Sequence, residues 1–117
     1  MKKNSSSKST LMITTLLLLS IFSFTISCKK ISDVPGANEV LIQGMAFSPS
    51  IITVTAGTTV TWTNKDEVAH SVTSNTGIFD SGSISNNGSY SYLFSTAGTF
   101  PYHCMVHPMM TASVVVN

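Results

Sequence analysis

The nine residues Tyr102-His103-Cys104-Met105-Val106-His107-Pro108-Met109-Met110 carry one thiol, two imidazoles and three thioethers. His70 is the only histidine outside this segment. Sulfur donors combined with imidazole select Cu(I), Zn(II) and related soft ions. Cys104, His107 and Met110 follow one another at three-residue spacing, so one tight loop can turn three donors toward a single point. Pro108 stiffens that loop and removes one backbone donor from it. His70 would bring a fourth donor from a distant strand. A near-trigonal pair of histidines and a cysteine, with a weak axial methionine, is the arrangement that holds copper for single-electron transfer.

Other polar residues compete for a role. His103 adjoins Cys104, but strand alternation sends it to the opposite face, where a hydrogen-bonding surface histidine is expected. Met109 competes with Met110 for the axial position, and the spacing favours Met110. Asp66, Glu67 and Asp80 invite a reading as catalytic acids. Asp66 and Glu67 fall in a predicted turn, however, and are expected to be solvated. There is no second metal cluster, the four-donor set leaves no open position, and a binuclear copper site would need a second cysteine in the loop. An enzyme is therefore not expected.

The elements that must position these donors read as strands. Thr, Ser, Val and Ile dominate, and no long stripe with a 3.6-residue period occurs. Short alternating runs predict strands near 39–45, 51–56, 58–64, 69–74, 89–95, 98–104 and 112–116. The intervening turns fall at Ser48-Pro49-Ser50, Ala56-Gly57, Asn64-Lys65-Asp66-Glu67, Asn86-Asn87-Gly88 and Ala97-Gly98. The fold class is all-β, a sandwich. A two-residue period assigns Ile52 and Val54 to the core, then Val60 and Trp62. Tyr90, Tyr92 and Phe94 follow, then Phe100, Tyr102 and Cys104, and finally Val114 and Val116. Pro101 falls inside a strand and must face an edge or a bulge. Ser81 to Ser91 reads as loop. The domain, residues 38–117, has roughly 80 residues and no disulfide, so a bound metal would help to stabilise it.

Residues 1–27 read as a secretory signal. Lys2, Lys3 and Lys8 precede an apolar stretch from Leu11 to Ile26 that is short for a membrane span. Thr25-Ile26-Ser27-Cys28 resembles a bacterial lipobox, which implies acylation of Cys28 and a lipid tether with no spanning segment. Residues 28–37 form a linker containing Pro35-Gly36. A periplasmic or cell-envelope location follows. Cys28 and Cys104 are the only cysteines. An acylated Cys28 cannot pair, which leaves Cys104 a lone thiol in an oxidising compartment, and a bound metal would protect it. From Cys28 onward, Lys29, Lys30 and Lys65 stand against Asp33, Glu39, Asp66, Glu67 and Asp80, a net charge of −2, and the chain has no arginine. Nucleic acid is excluded as a partner for want of a basic surface.

The order Cys-x-x-His-x-x-Met after Gly98-Thr99-Phe100-Pro101-Tyr102-His103 resembles the cupredoxin family of blue-copper proteins. Its short ligand loop is most similar to that of amicyanin. Plastocyanin and pseudoazurin place more residues between His and Met. Ala46-Phe47-Ser48-Pro49, Ile52-Thr53-Val54, Gly57 and Val60-Thr61-Trp62-Thr63-Asn64 are similar to the family's first half. Val68-Ala69-His70-Ser71-Val72 is similar to its first-ligand motif, and Phe79-Asp80-Ser81-Gly82 and Ala97-Gly98-Thr99-Phe100 to its later turns.

The resemblance implies a Greek-key β-sandwich with one copper ion, cycling between Cu(I) and Cu(II), on His70, Cys104, His107 and Met110. It also implies electron exchange with redox proteins through His107. Met105, Val106, Pro108 and Met109 would form the apolar docking patch for these transient encounters, and a monomer is expected. The family often has Asn directly after the first His, where its side chain braces the two ligand loops. Here that residue is Ser71. The rival expectation is copper binding and trafficking, since Met105, Met109 and Met110 offer soft donors to a carrier, although a buried thiolate opposes easy release.

Overall fold

A computed structural model describes residues 33–117. The secretory signal, Cys28 and the start of the linker lie outside the described residues. Among the described residues eight strands form: β1 (Glu39–Ile42), β2 (Phe47–Ser48), β3 (Ile51–Val54), β4 (Thr58–Asn64), β5 (Thr73–Ser74), β6 (Ser89–Phe94), β7 (Gly98–His103) and β8 (Thr111–Val116). They make two four-stranded sheets, in the orders β2-β1-β4-β6 and β3-β8-β7-β5. In each sheet one pair is parallel, β1 with β4 and β3 with β8, and the other pairings are antiparallel.

The alternation carried by the sequence builds the core. Val60 and Trp62 from β4 meet Ile52 and Val54 from β3, Tyr102 from β7, and Val114 and Val116 from β8, all buried in one cluster. Trp62 and Tyr102 are fully buried and pack edge to face, with ring centroids 5.5 Å apart. Full burial of a large apolar side chain contributes about 1.5–3 kcal/mol. Tyr90, Tyr92 and Phe100 are only partly buried and flank the cluster, whereas Phe94 is inside it. Cys104 is in it too, as are Val40, Ile42, Phe47, Val72, Phe79, Ile84 and Met110, which the strand pattern did not assign.

Three predicted elements differ in the structure. The first strand ends at Ile42, not 45, because Gly44 and Met45 both take positive φ, +65° and +62°. Two successive residues of that conformation make the tight hairpin turn that returns the chain as β2, closed by the Gln43 N–H to the Ala46 carbonyl at 3.0 Å. The strand expected over 69–74 survives only as β5, with His70 held separately by a two-residue bridge to Ile84. That bridge also gives the middle of the predicted loop Ser81–Ser91 a fixed place. Pro101 behaves as required. Its carbonyl accepts the Asn75 N–H at 3.0 Å, where the pairing of β7 with the two-residue β5 runs out, so the missing donor of Pro101 faces that open edge.

Candidate metal centre

Cys104 follows the last residue of β7 and Met110 precedes the first residue of β8, so paired strands fix both ends of the ligand loop. The Cys104 N–H donates to the Met110 carbonyl at 3.0 Å, and the Met110 N–H to the His107 carbonyl at 2.8 Å. These bonds hold the loop as a compact turn. Cys104 is fully buried, Met110 is 7% exposed, and His107 is half-buried. His70 arrives from the segment between β4 and β5. Its N–H donates to the Ile84 carbonyl at 3.1 Å, its carbonyl accepts the Ile84 N–H at 2.7 Å, and its side chain is fully buried.

Three donor atoms converge. Cys104 Sγ lies 3.8 Å from His70 Nδ1 and 3.7 Å from His107 Nδ1, and the two nitrogens are 3.2 Å apart. The point equidistant from all three is about 2.1 Å from each, the length of a bond from a transition-metal ion to imidazole nitrogen and within about 0.2 Å of one to thiolate sulfur. Two imidazole nitrogens this close repel unless a cation or a shared proton lies between them. The donor set therefore fits one soft metal ion. His103 turns away as alternation requires, and its Nδ1 lies 2.6 Å from Asn75 Oδ1. Met105, Val106 and Met109 are exposed around His107, and Met109, at 94%, faces outward.

Asp66 was expected to be solvated, but it is only partly exposed and its carboxylate is engaged. Its Oδ2 accepts a hydrogen bond from His70 Nε2 at 2.9 Å, and its side chain is only 16% exposed. A carboxylate can only accept, so Nε2 carries the proton and Nδ1 turns its lone pair to the donor triangle. The same carboxylate accepts the N–H groups of Gly44 at 2.8 Å and Met45 at 3.0 Å, which clamps the β1–β2 turn against the first ligand. Partial burial pushes the Asp66 carboxyl up, but the Met45 and Gly44 N–H groups and the His70 ring outweigh it and hold it below the usual carboxylate range. Asn64, fully buried at the end of β4, completes the support. Its side-chain amide donates to the carbonyls of Val68 and Ile84, each at 2.9 Å, and its oxygen accepts the Asp66 N–H at 2.9 Å. The sequence signal for Asp66 was available: an acid four residues before a ligand histidine, across a turn.

The Ser71 N–H lies 3.3 Å from Cys104 Sγ, and the Ser71 hydroxyl accepts the Met105 N–H at 2.8 Å. The link between the two ligand loops therefore exists with serine in the place where asparagine is usual.

Residues 15–116 match the family model described as a cupredoxin-like domain. The chain belongs to the cupredoxin family. It is 36% identical over 87 residues to amicyanin-alpha of Methylorubrum extorquens, covering 70% of this chain and 73% of that protein. It is 35% identical over 87 residues to amicyanin of Paracoccus denitrificans, covering 70% and 66%. Among solved structures it is similar to the Cu(I) form of an amicyanin point mutant, with 33% identity and a TM-score of 0.66 over 75% of this chain and 87% of that one.

Proposed function

We propose that this cupredoxin is a type 1 copper electron carrier and not an enzyme, whose one copper ion would be held by His70, Cys104, His107 and Met110. The observation that carries the proposal is the triangle of Cys104 Sγ and the two histidine Nδ1 atoms, with sides of 3.2–3.8 Å. Bound copper supplies a one-electron couple between Cu(I) and Cu(II). The protein's part is to keep the donors still. Asp66 fixes the orientation and tautomer of His70, the paired ends of β7 and β8 fix Cys104 and Met110, and the Ser71 N–H draws electron density from the Cys104 sulfur. A frame that does not rearrange between oxidation states lowers the barrier to electron transfer.

Half-buried His107 is the electron port, ringed by Met105, Val106, Pro108 and Met109 as the docking patch. Such a patch suits brief encounters with redox proteins. We further read residues 1–27 as a secretory signal, 28–37 as a linker and 38–117 as the cupredoxin domain. Cys28 is the site of a lipid anchor that keeps a monomer at the cell envelope.

The test is addition of Cu(II) to the purified protein. An intense blue thiolate-to-copper band that bleaches reversibly on reduction, and that Cys104→Ser abolishes, is expected. A colourless protein that binds only Cu(I) would overturn the proposal in favour of copper trafficking.

A further inference from the structure

Ser71 follows the first ligand, and its hydroxyl does more than accept one bond. It is 4% exposed. Because it accepts the Met105 N–H at 2.8 Å, its own hydrogen is free to donate, and Thr73 Oγ1 lies 3.0 Å away. Thr73 Oγ1 in turn donates to Asp80 Oδ1 at 3.2 Å. A carboxylate only accepts, so the single hydrogen of Thr73 is committed to Asp80, and the hydrogen between the two hydroxyls must come from Ser71. The direction is thereby fixed over four groups: Met105 N–H to Ser71, Ser71 to Thr73, Thr73 to Asp80.

The far end is anchored. Asp80 Oδ1 also accepts the Gly82 N–H at 3.0 Å, and Thr73 and Asp80 pair as a backbone bridge. The neighbouring Val72 and Ser81 are tied twice, by the Val72 N–H to Ser81 Oγ at 2.7 Å and the Ser81 N–H to the Val72 carbonyl at 2.9 Å. Hydrogen bonds in a chain polarise one another by about 10–30% each, so a carboxylate at the end strengthens the bond at the start.

We propose that Ser71, Thr73 and Asp80 form a one-way hydroxyl relay that positions the Cys104–Met105 end of the ligand loop from the protein surface. Thr73 and Asp80 are then positioning residues: neither touches a metal donor, yet both set how firmly Met105 N–H is held beside the sulfur. The relay rests on the copper-site reading only for its spectroscopic consequence. Its mechanical consequence is present in the metal-free protein.

The test measures amide hydrogen exchange at Met105 by NMR in the metal-free protein. Thr73→Val keeps the β-branched shape and removes the hydroxyl. Met105 exchange should rise about fivefold, the change that loss of one ordinary hydrogen bond supports. Thr73→Ser, which keeps the hydroxyl, should leave it within about twofold, and Asp80→Ala, at the exposed end, should raise it in the same direction. In the copper-loaded protein, Thr73→Val should move the thiolate charge-transfer band and Thr73→Ser should not. The relay is overturned if Thr73→Val and Asp80→Ala both leave Met105 exchange at the wild-type rate while Ser71→Ala raises it, since the brace then ends at Ser71. It is equally overturned if Thr73→Ser behaves as Thr73→Val, since shape and not the hydroxyl would then matter. Failure to bind copper would leave the exchange result intact.

Discussion

Replacing Asp66 by alanine removes three hydrogen bonds at once, and the structure assigns them unequal weight. The N–H groups of Gly44 and Met45 sit in an exposed turn, where water can take over, so their loss costs about 0.5 kcal/mol each. His70 is fully buried, and its Nε2–H would face the space left by the carboxylate. An orphaned buried donor costs about 1–3 kcal/mol, the lower end applying if one water enters. The expected destabilisation of the metal-free protein is therefore about 2–4 kcal/mol, read from the midpoint of a urea transition at unchanged slope.

Metal affinity should fall about 10–100-fold, the usual effect of removing the partner of a ligating histidine. Asp66→Asn is an informative companion. Its amide can turn its NH₂ toward Nε2 and stabilise the tautomer with the proton on Nδ1, which blocks the donor nitrogen, so affinity should fall although volume is kept. The carboxyl is held below its ordinary range, so its contribution is present above the unfolded value near 4 and is lost as pH falls through the folded value. The wild-type protein should lose stability in that acid window, and Asp66→Asn should flatten the loss. Stability within about 0.5 kcal/mol of wild type, together with unchanged metal affinity, would refute the reasoning and return Asp66 to a solvated turn residue.

Met110→Leu should retain the blue band and raise the reduction potential, because a weak axial donor to Cu(II) is lost; if Met109→Leu does so instead, the axial assignment fails. Burial pushes the Tyr102 hydroxyl above the usual phenol range, and the Trp62 indole N–H, the one group acting the other way, stops short of a hydrogen bond. The unfolded chain therefore ionises first. Stability is full below about pH 10 and falls above it, and Tyr102→Phe should reduce that alkaline loss at a cost below about 1 kcal/mol at neutral pH, since the hydroxyl has no partner to lose. Greater destabilisation in a neutral-pH urea melt would show a bond at that hydroxyl. Cys28→Ser should move the protein from the membrane to the soluble fraction of its host cell; unchanged fractionation would remove the lipid anchor.

The three donors that converge, His70, Cys104 and His107, were legible in the sequence for physical reasons. Cys104, His107 and Met110 lie in one short loop, where spacing alone limits which side chains can meet, and His70 stood out as the only histidine outside that segment. The core alternation of Val60 and Trp62 or Val114 and Val116 was legible too, because a strand in a sandwich has a fixed period of two. The ends of strands were less so. Nothing local in Gln43-Gly44-Met45 says that a methionine will take a left-handed turn, since the hairpin and the Asp66 carboxylate hold it there.

Tertiary structure decided the groups that support the ligands. Asn64 and Asp66 read as turn residues, Thr73 as part of a strand and Asp80 as part of a later turn, because their partners lie on other segments, the β1–β2 turn, the Ile84 bridge and the Met105 end of the loop. The sequence named the atoms that can bind a metal. Only the packing of two sheets determined which carboxylate orients His70, which hydroxyl holds Met105, and so how rigid the metal centre is, because a hydrogen bond between distant segments exists only once the fold has brought them together.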